Sequence, residues 1–269
     1  LGDAHPAYIE SLINLALLFD KTNQLTKAEP LFIQAMEGRK KQLGDMHPDY
    51  AFIMGNLALL YDKSGQYTKA EPLFFREIEI LKKSLGDTHP AYANCIENLA
   101  AMYDHMLQFG KAETLRLQVI EIRKKDPGES HPDYATSVFN LAVLYDHMGQ
   151  VTKAESFFIQ ALDIRKKLLG DMHPDYAVCM EALAMLYNKT GQYTKAESLY
   201  LLALDIWKKV YGEFHPAYAN SIDNLATFYD RNSLYTKAEP LRIQALEIRK
   251  KVLGESHPDF AGSLNNLAA

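Results

Sequence analysis

The chain has 269 residues, 48% of them hydrophobic, a formal net charge of −5 and two cysteines. No apolar run approaches the roughly 20 residues that a membrane span needs and no signal-like segment opens the sequence, so a membrane-spanning protein is excluded and a cytoplasmic one is expected. An acidic balance, with lysines spread in pairs along the chain, provides no continuous basic face for nucleic acid.

Gly2, Gly44, Gly86, Gly128, Gly170, Gly212 and Gly254 stand 42 residues apart, so the chain reads as one domain, 1–269, made of a repeated unit. The copies are 1–42, 43–84, 85–126, 127–168, 169–210 and 211–252, with a partial seventh at 253–269. A chain that starts without Met and stops inside a unit is expected to be a piece of a longer protein. Periods of this size mark stacked architectures in which each unit needs neighbours to bury its apolar face.

Each copy opens on a His-Pro pair, as in Leu43-Gly44-Asp45-Met46-His47-Pro48-Asp49-Tyr50. Proline suits the first helical position, where its missing N–H would be unbonded anyway, so a first helix starts at Pro6, Pro48, Pro90 and their equivalents. Tyr50, Met54, Leu57 and Tyr61 fall on one face of it, as do Tyr8, Leu12, Leu15 and Phe19 in the first copy. The helix should end near Gly65, Gly149 and Gly191, where glycine takes the left-handed conformation; Leu107 and Ser233 replace that glycine, so those two turns are expected to be made differently.

A second helix follows. Thr26-x-x-Glu29, Thr68-x-x-Glu71, Thr152-x-x-Glu155, Thr194-x-x-Glu197 and Thr236-x-x-Glu239 have capping-box spacing, which predicts Thr as the N-cap. Ala28, Leu31, Ala35 and Met36 supply the expected buried stripe, and Lys40-Lys41 complement the negative helix end. Alanine rows on both helices, from Ala16 to Ala268 on the first and Ala28 to Ala238 on the second, predict close packing within each hairpin. Glu77 breaks the pattern, standing where other copies have Ala35, Val119, Ala161, Ala203 and Ala245, and is expected to reach solvent or a basic partner.

Seven of the nine histidines belong to His-Pro. Their even spacing suits a cap over the N–H groups of a helix start far better than convergence on one metal ion, and the acid two residues earlier is expected to hold each ring. Cys95 and Cys179, two copies apart, read as small packing residues and not as a disulfide. No phosphate loop, nucleophile elbow or zinc spacing is present, so the chain reads as non-enzymatic, with no cofactor and no metal.

Asn-Leu-Ala-x-Leu-Tyr, Gly-Gln-Tyr-x-Lys-Ala-Glu and Ala-Leu-Glu-Ile-Arg-Lys-Lys resemble tetratricopeptide repeats in a 42-residue form, and the Leu-Gly-Asp-x-His-Pro spacer is similar to that of the kinesin light chain group. The resemblance implies an all-α fold, a right-handed α-solenoid of helical hairpins with six repeats plus the first helix of a seventh, whose first helices line a concave groove. Carried over residue by residue, the groove has Asn14, Asn56, Asn98, Asn140, Asn224 and Asn266 in an amide ladder interrupted at Ala182. Asp20, Asp62, Asp104, Asp146 and Asp230 precede a basic row of Lys21, Lys63, His105, His147, Lys189 and Arg231, read as a solvated rim. Ile13, Gly55, Glu97, Phe139, Glu181 and Asp223 hold an adjacent groove position, which argues against the acidic peptides held in the kinesin light chain group.

Two roles are open to the asparagines. Their carboxamides can hydrogen-bond the main chain of an extended peptide whatever its sequence, or they can brace neighbouring turns. The function expected is a scaffold that binds a protein or peptide partner in the groove. The alternative is a structural or ligand-sensing repeat region of a larger signalling protein, acting through end-to-end self-association or its convex face.

Overall fold

The computed structural model describes residues 5–268; Gly2, Ala269 and the side chain of Ala268 lie outside the described residues. These residues form thirteen helices and no strand. They pair as α1 (Pro6–Lys21) with α2 (Leu25–Leu43), α3 (Pro48–Lys63) with α4 (Tyr67–Leu85), and α5 (Pro90–His105) with α6 (Phe109–Lys125). Next come α7 (Pro132–His147) with α8 (Val151–Leu169), α9 (Pro174–Lys189) with α10 (Tyr193–Tyr211), and α11 (Pro216–Arg231) with α12 (Tyr235–Leu253); α13 (Pro258–Ala268) follows. The chain divides into two compact units, Leu1–Glu129 holding α1 to α6 and Ser130–Ala269 holding α7 to α13. Within each unit successive hairpins stack, and first helices touch first helices, as α3 touches α5 and α9 touches both α7 and α11.

Each first helix begins as expected. His5, His47, His89, His131, His173 and His215 sit in extended backbone before proline, and each of these rings, like that of His257, accepts a hydrogen bond at Nδ1 from the backbone N–H two residues on, at 3.1–3.2 Å. The bond occupies one of the N–H groups that a helix start leaves without an intrahelical partner. The acid two residues earlier turns elsewhere. Glu129, Glu213 and Glu255 pair with Lys124, Lys208 and Lys250, cations already gathered at the negative end of the preceding helix, and Asp45 pairs with Arg76 in the middle of α4.

The turns inside the hairpins correct one expectation. Leu107 and Ser233 take φ of 58°, and Asn23 takes 57°, the same left-handed conformation as Gly65 at 72°. The geometry is fixed by the bonds it allows: Gln108 N–H donates to Tyr103 C=O at 2.8 Å, as Gln66 N–H does to Tyr61 C=O. Those turns are therefore built alike, at a cost of roughly 1–2 kcal/mol for a side chain in that region.

Thr is not the cap of the second helices. Gln24, Gln66, Gln108, Gln150, Gln192 and Leu234 hold that position, with no side-chain cap bond, and Thr26 and its equivalents lie inside the first turn. The capping-box glutamates instead accept from tyrosine hydroxyls of the following repeat: Tyr61 to Glu29 at 2.8 Å, Tyr103 to Glu71 at 2.5 Å, Tyr187 to Glu155 at 2.9 Å and Tyr229 to Glu197 at 2.7 Å. Lys69, Lys111, Lys195 and Lys237 lie over the same tyrosine rings at 4.5–4.9 Å. A hydroxyl that would otherwise be buried without a partner outcompetes a cap that water can replace.

Packing follows the alanine rows. Ala16, Ala58, Ala100, Ala142, Ala184 and Ala226, with Ala28, Ala70, Ala112, Ala154, Ala196 and Ala238, are at most 1% exposed. Around them Tyr50, Met54, Leu57 and Tyr61 are buried as expected, whereas Leu15 of the first copy is exposed. The stripe of α2 runs through Ala28, Phe32, Ala35 and Gly38, with Leu31 and Met36 only half-buried, so the helix is turned slightly from the orientation its sequence suggested. Cys95 and Cys179 are buried free thiols.

Candidate functional site

Within each unit the first helices of neighbouring hairpins touch, and the side chains of the predicted residues divide into two uses. Asn56 donates from Nδ2 to Phe52 C=O of its own helix at 3.0 Å, and Asn224 donates to Glu181 Oε2 of the preceding repeat at 3.0 Å. Asn14 and Asn266 are exposed, and Asn98 is half-buried. Asn140, also half-buried, is engaged within the fold. The ladder therefore braces at some steps and presents free amide atoms at others.

In the second, third and fifth copies the basic row is not a free rim. Lys63 Nζ lies 3.1 Å from Asp20 Oδ1, His105 Nδ1 lies 3.0 Å from Asp62 Oδ1, and Lys189 Nζ lies 2.5 Å from Asp146 Oδ2. Each base pairs with the acid of the previous copy and not with its sequence neighbour, and Asp62 is only 8% exposed. In the sixth copy the same link runs between amides, Asn232 Nδ2 donating to Asn188 Oδ1 at 3.0 Å, which leaves Arg231 exposed. Lys21 is exposed, and His147 is engaged within the fold.

The acids at the adjacent groove position face inward. Glu97 lies 3.4 Å from Arg116, whose guanidinium also meets buried Asp104 at 3.3 Å. Asp223 meets Arg242 at 3.3 Å and pairs with Arg249, and Arg242 continues to Asp230 at 2.8 Å. Glu181 accepts from Trp207 Nε1 at 3.1 Å as well as from Asn224. Arg116 and Arg242 stand where other copies have Phe32, Phe74, Phe158 and Tyr200, so an acid on the first helix is matched by a base on the second. From the sequence these acids are expected at a groove position. The signal that finds their true role is the matched change of two columns within one copy.

Glu77 likewise departs from its expectation. It is 5% exposed and lies over Gly55, where an added Cβ would stand 2.2 Å from its Oε1. Its donor is the Cys95 thiol, 2.9 Å from Oε2, and burial raises its carboxyl to about 7 against the small opposing effect of that bond. Glu77, Gly55, Phe52, Asn56, Asn94 and Asn98 border a cavity of about 280 Å³ between α3 and α5. Among the described residues no group of three or more His, Cys, Asp or Glu side chains is placed to hold a metal ion. None of the helices searched there is long and apolar enough to cross a membrane.

Stacked 42-residue hairpins joined by acid–base and tyrosine–glutamate contacts define a helical repeat protein of the α-solenoid class. Tetratricopeptide repeat profiles match residues 23–83, 64–125, 97–167, 133–201 and 176–232, and a second such profile matches 219–259. The chain belongs to the tetratricopeptide repeat family. A Podosopora anserina putative kinesin light chain with nearly identical TPR-like repeats is similar at 30% identity and TM-score 0.63, over 76% of this chain and 97% of that one. BtubC (BKLC) from P. vanneervenii shares the fold at 22% identity and TM-score 0.67, over 93% and 94%. A Rap protein complexed with competence and sporulation factor shares it at 16% identity and TM-score 0.63, over 96% and 73%. No curated protein sequence matches the chain. Tetratricopeptide repeats generally mediate protein–protein interaction and are typically non-enzymatic scaffolds.

Proposed function

We propose that this chain is a binding module that holds an extended peptide segment of a partner protein along the face made by its first helices. The observation that carries the reading is the cavity between α3 and α5, walled by the carboxamides of Asn56, Asn94 and Asn98. Asn56 uses one N–H on its own helix, which leaves its second N–H and its carbonyl oxygen for a ligand. Amides presented in this way can pair with the N–H and C=O groups of an extended main chain, giving affinity that depends little on peptide sequence. The basic row contributes less than its sequence suggested, because Lys63, His105 and Lys189 are occupied between repeats.

A peptide-display selection against the whole chain, followed by binding measurements on an Asn56→Ala/Asn98→Ala double variant, tests the reading. The selected peptides should bind the variant at least tenfold more weakly while its helical circular dichroism is unchanged. Equal binding by the two proteins overturns the assignment to this face.

A further inference from the structure

Glu77 differs from every other inward-facing acid of its kind in the company it keeps. Glu97 has Arg116, Asp223 has Arg242 and Arg249, and Glu181 has the indole N–H of Trp207 and the amide of Asn224. At the two second-helix positions that supply arginine in the third and sixth copies, the second copy has Phe74 and Leu81, both fully buried. The thiol of Cys95, a weak donor, is the hydrogen-bond partner Glu77 has among the described residues. Arg123 of α6 is engaged with Asn94 Oδ1 at 2.6 Å. Gly55 matters equally, because any side chain there would collide with the carboxylate and close the space above it.

A buried carboxyl without a cationic partner, at the wall of an open cavity, is a site built for a donor that the protein does not itself contain. We propose that the cavity between α3 and α5 takes a cationic side chain of the bound peptide, an ammonium or guanidinium on an aliphatic stem, with the Glu77 carboxylate as its counter-ion. Phe52, Gly55 and Leu59 line the cavity for the stem, together with Asn56, Asn94 and Asn98. The inference rests on the peptide-binding reading for its carrier and deepens it by assigning one residue preference. Burial disfavours the ionised carboxyl while the site is empty, and an arriving cation supplies the charge that favours it.

Two measurements separate this inference from the reading beneath it. Peptides selected against the wild-type chain should share a Lys or Arg at one fixed place. Such a peptide should bind Glu77→Gln at least tenfold more weakly, while its Lys→Met analogue binds both proteins alike. Glu77→Ala, which installs the residue of four other copies, should behave as Glu77→Gln does and controls for folding. Equal binding of the basic peptide to wild type and both variants overturns the Glu77 assignment and leaves the asparagine face standing. In the second measurement, n-butylammonium chloride is titrated onto protein carrying 13C at its glutamate carboxyls. The Glu77 signal should shift to saturation, with no response to n-butanol or to sodium chloride at the same ionic strength. A Glu77 signal that does not move, or that moves equally with sodium chloride, overturns the cation site even if peptides are selected. If no peptide is selected yet n-butylammonium saturates Glu77, the peptide reading falls and the cation site stands.

Discussion

The hydroxyl of Tyr61 donates to Glu29 across the junction of the first two repeats, at 2.8 Å. It recurs wherever a repeat follows another within a unit, so the contact serves as a clasp and not as a local accident. Glu29 keeps access to water, so the loss on removing the hydroxyl is moderate. Tyr61→Phe should lower stability by about 1–2 kcal/mol in a urea titration, with helicity retained in the folded baseline.

The same clasp sets a limit at alkaline pH. Burial first, then the bond to Glu29 and its charge, raise Tyr61 from 10.0 to about 12, and burial likewise raises Tyr187 to about 12. Between pH 10 and 12 the folded chain keeps phenolic protons that the unfolded chain has released, so unfolding becomes easier as pH rises. The stabilisation is whole below pH 10 and is lost through 12. Thermal midpoints measured from pH 9 to 12 should fall, and the fall should be shallower for Tyr61→Phe.

Arg116 is the hub of a buried network with Glu97 and Asp104, and its side chain is almost wholly inaccessible. Removing it withdraws the guanidinium from two carboxylates that are themselves shielded from water. Arg116→Met should cost about 3 kcal/mol or more at neutral pH. A much smaller loss at neutral pH would show that the two acids find other partners.

Leu107 holds a left-handed backbone at φ 58° while its side chain is 72% exposed, so it loses conformational freedom and gains little burial. Glycine adopts that region without the Cβ collision. Leu107→Gly should raise stability by about 1 kcal/mol, less the extra freedom glycine has in the unfolded chain.

Glu77 carries a stability penalty that depends on pH. Its carboxyl is raised from 4.5 to about 7 by burial, with Cys95 as the titratable neighbour from α5. From pH 4.5 upward the unfolded chain releases this proton first, so the fold loses stability until pH 7, above which the penalty is complete. Glu77→Gln should therefore be more stable than wild type at pH 8, by an amount of the order of 3 kcal/mol, with no gain at pH 4. A difference that does not vary with pH would show that Glu77 keeps an ordinary carboxyl.

What the sequence made legible was whatever recurs. The His-Pro starts, the alanine rows and the Tyr50–Tyr61 face each appear in column after column, and each has one physical reading. Less legible were positions where two readings compete. Thr26 and Glu29 satisfy the spacing of a cap, yet the helix begins one residue before Thr26, and the glutamate is drawn to a tyrosine 32 residues ahead that no local pattern reveals. Compensating exceptions were hidden in the same way. Glu77 alone looks like a misplaced charge and Gly55 alone like a weak helix former, and only contact between α3 and α4 shows that each makes room for the other. For the candidate site, the amide ladder named Asn56 and Asn98, which border the cavity between α3 and α5. It did not distinguish Asn56, bonded to its own helix, from Asn224, bonded to Glu181.

The partners of these exceptions sit in one copy: Gly55 with Glu77, Glu97 with Arg116, Asp223 with Arg242. Most contacts that cross a junction use residues nearly every copy possesses, such as the tyrosine–glutamate clasp and the acid–base pair, while Glu77–Cys95 and Asn224–Glu181 are particular pairs that do cross one. Away from those two junctions, 42-residue blocks are thus interchangeable parts with standard couplings: excising or duplicating one rejoins tyrosine to glutamate. The array can change its length, or the order of its specificities, without a new interface having to be invented.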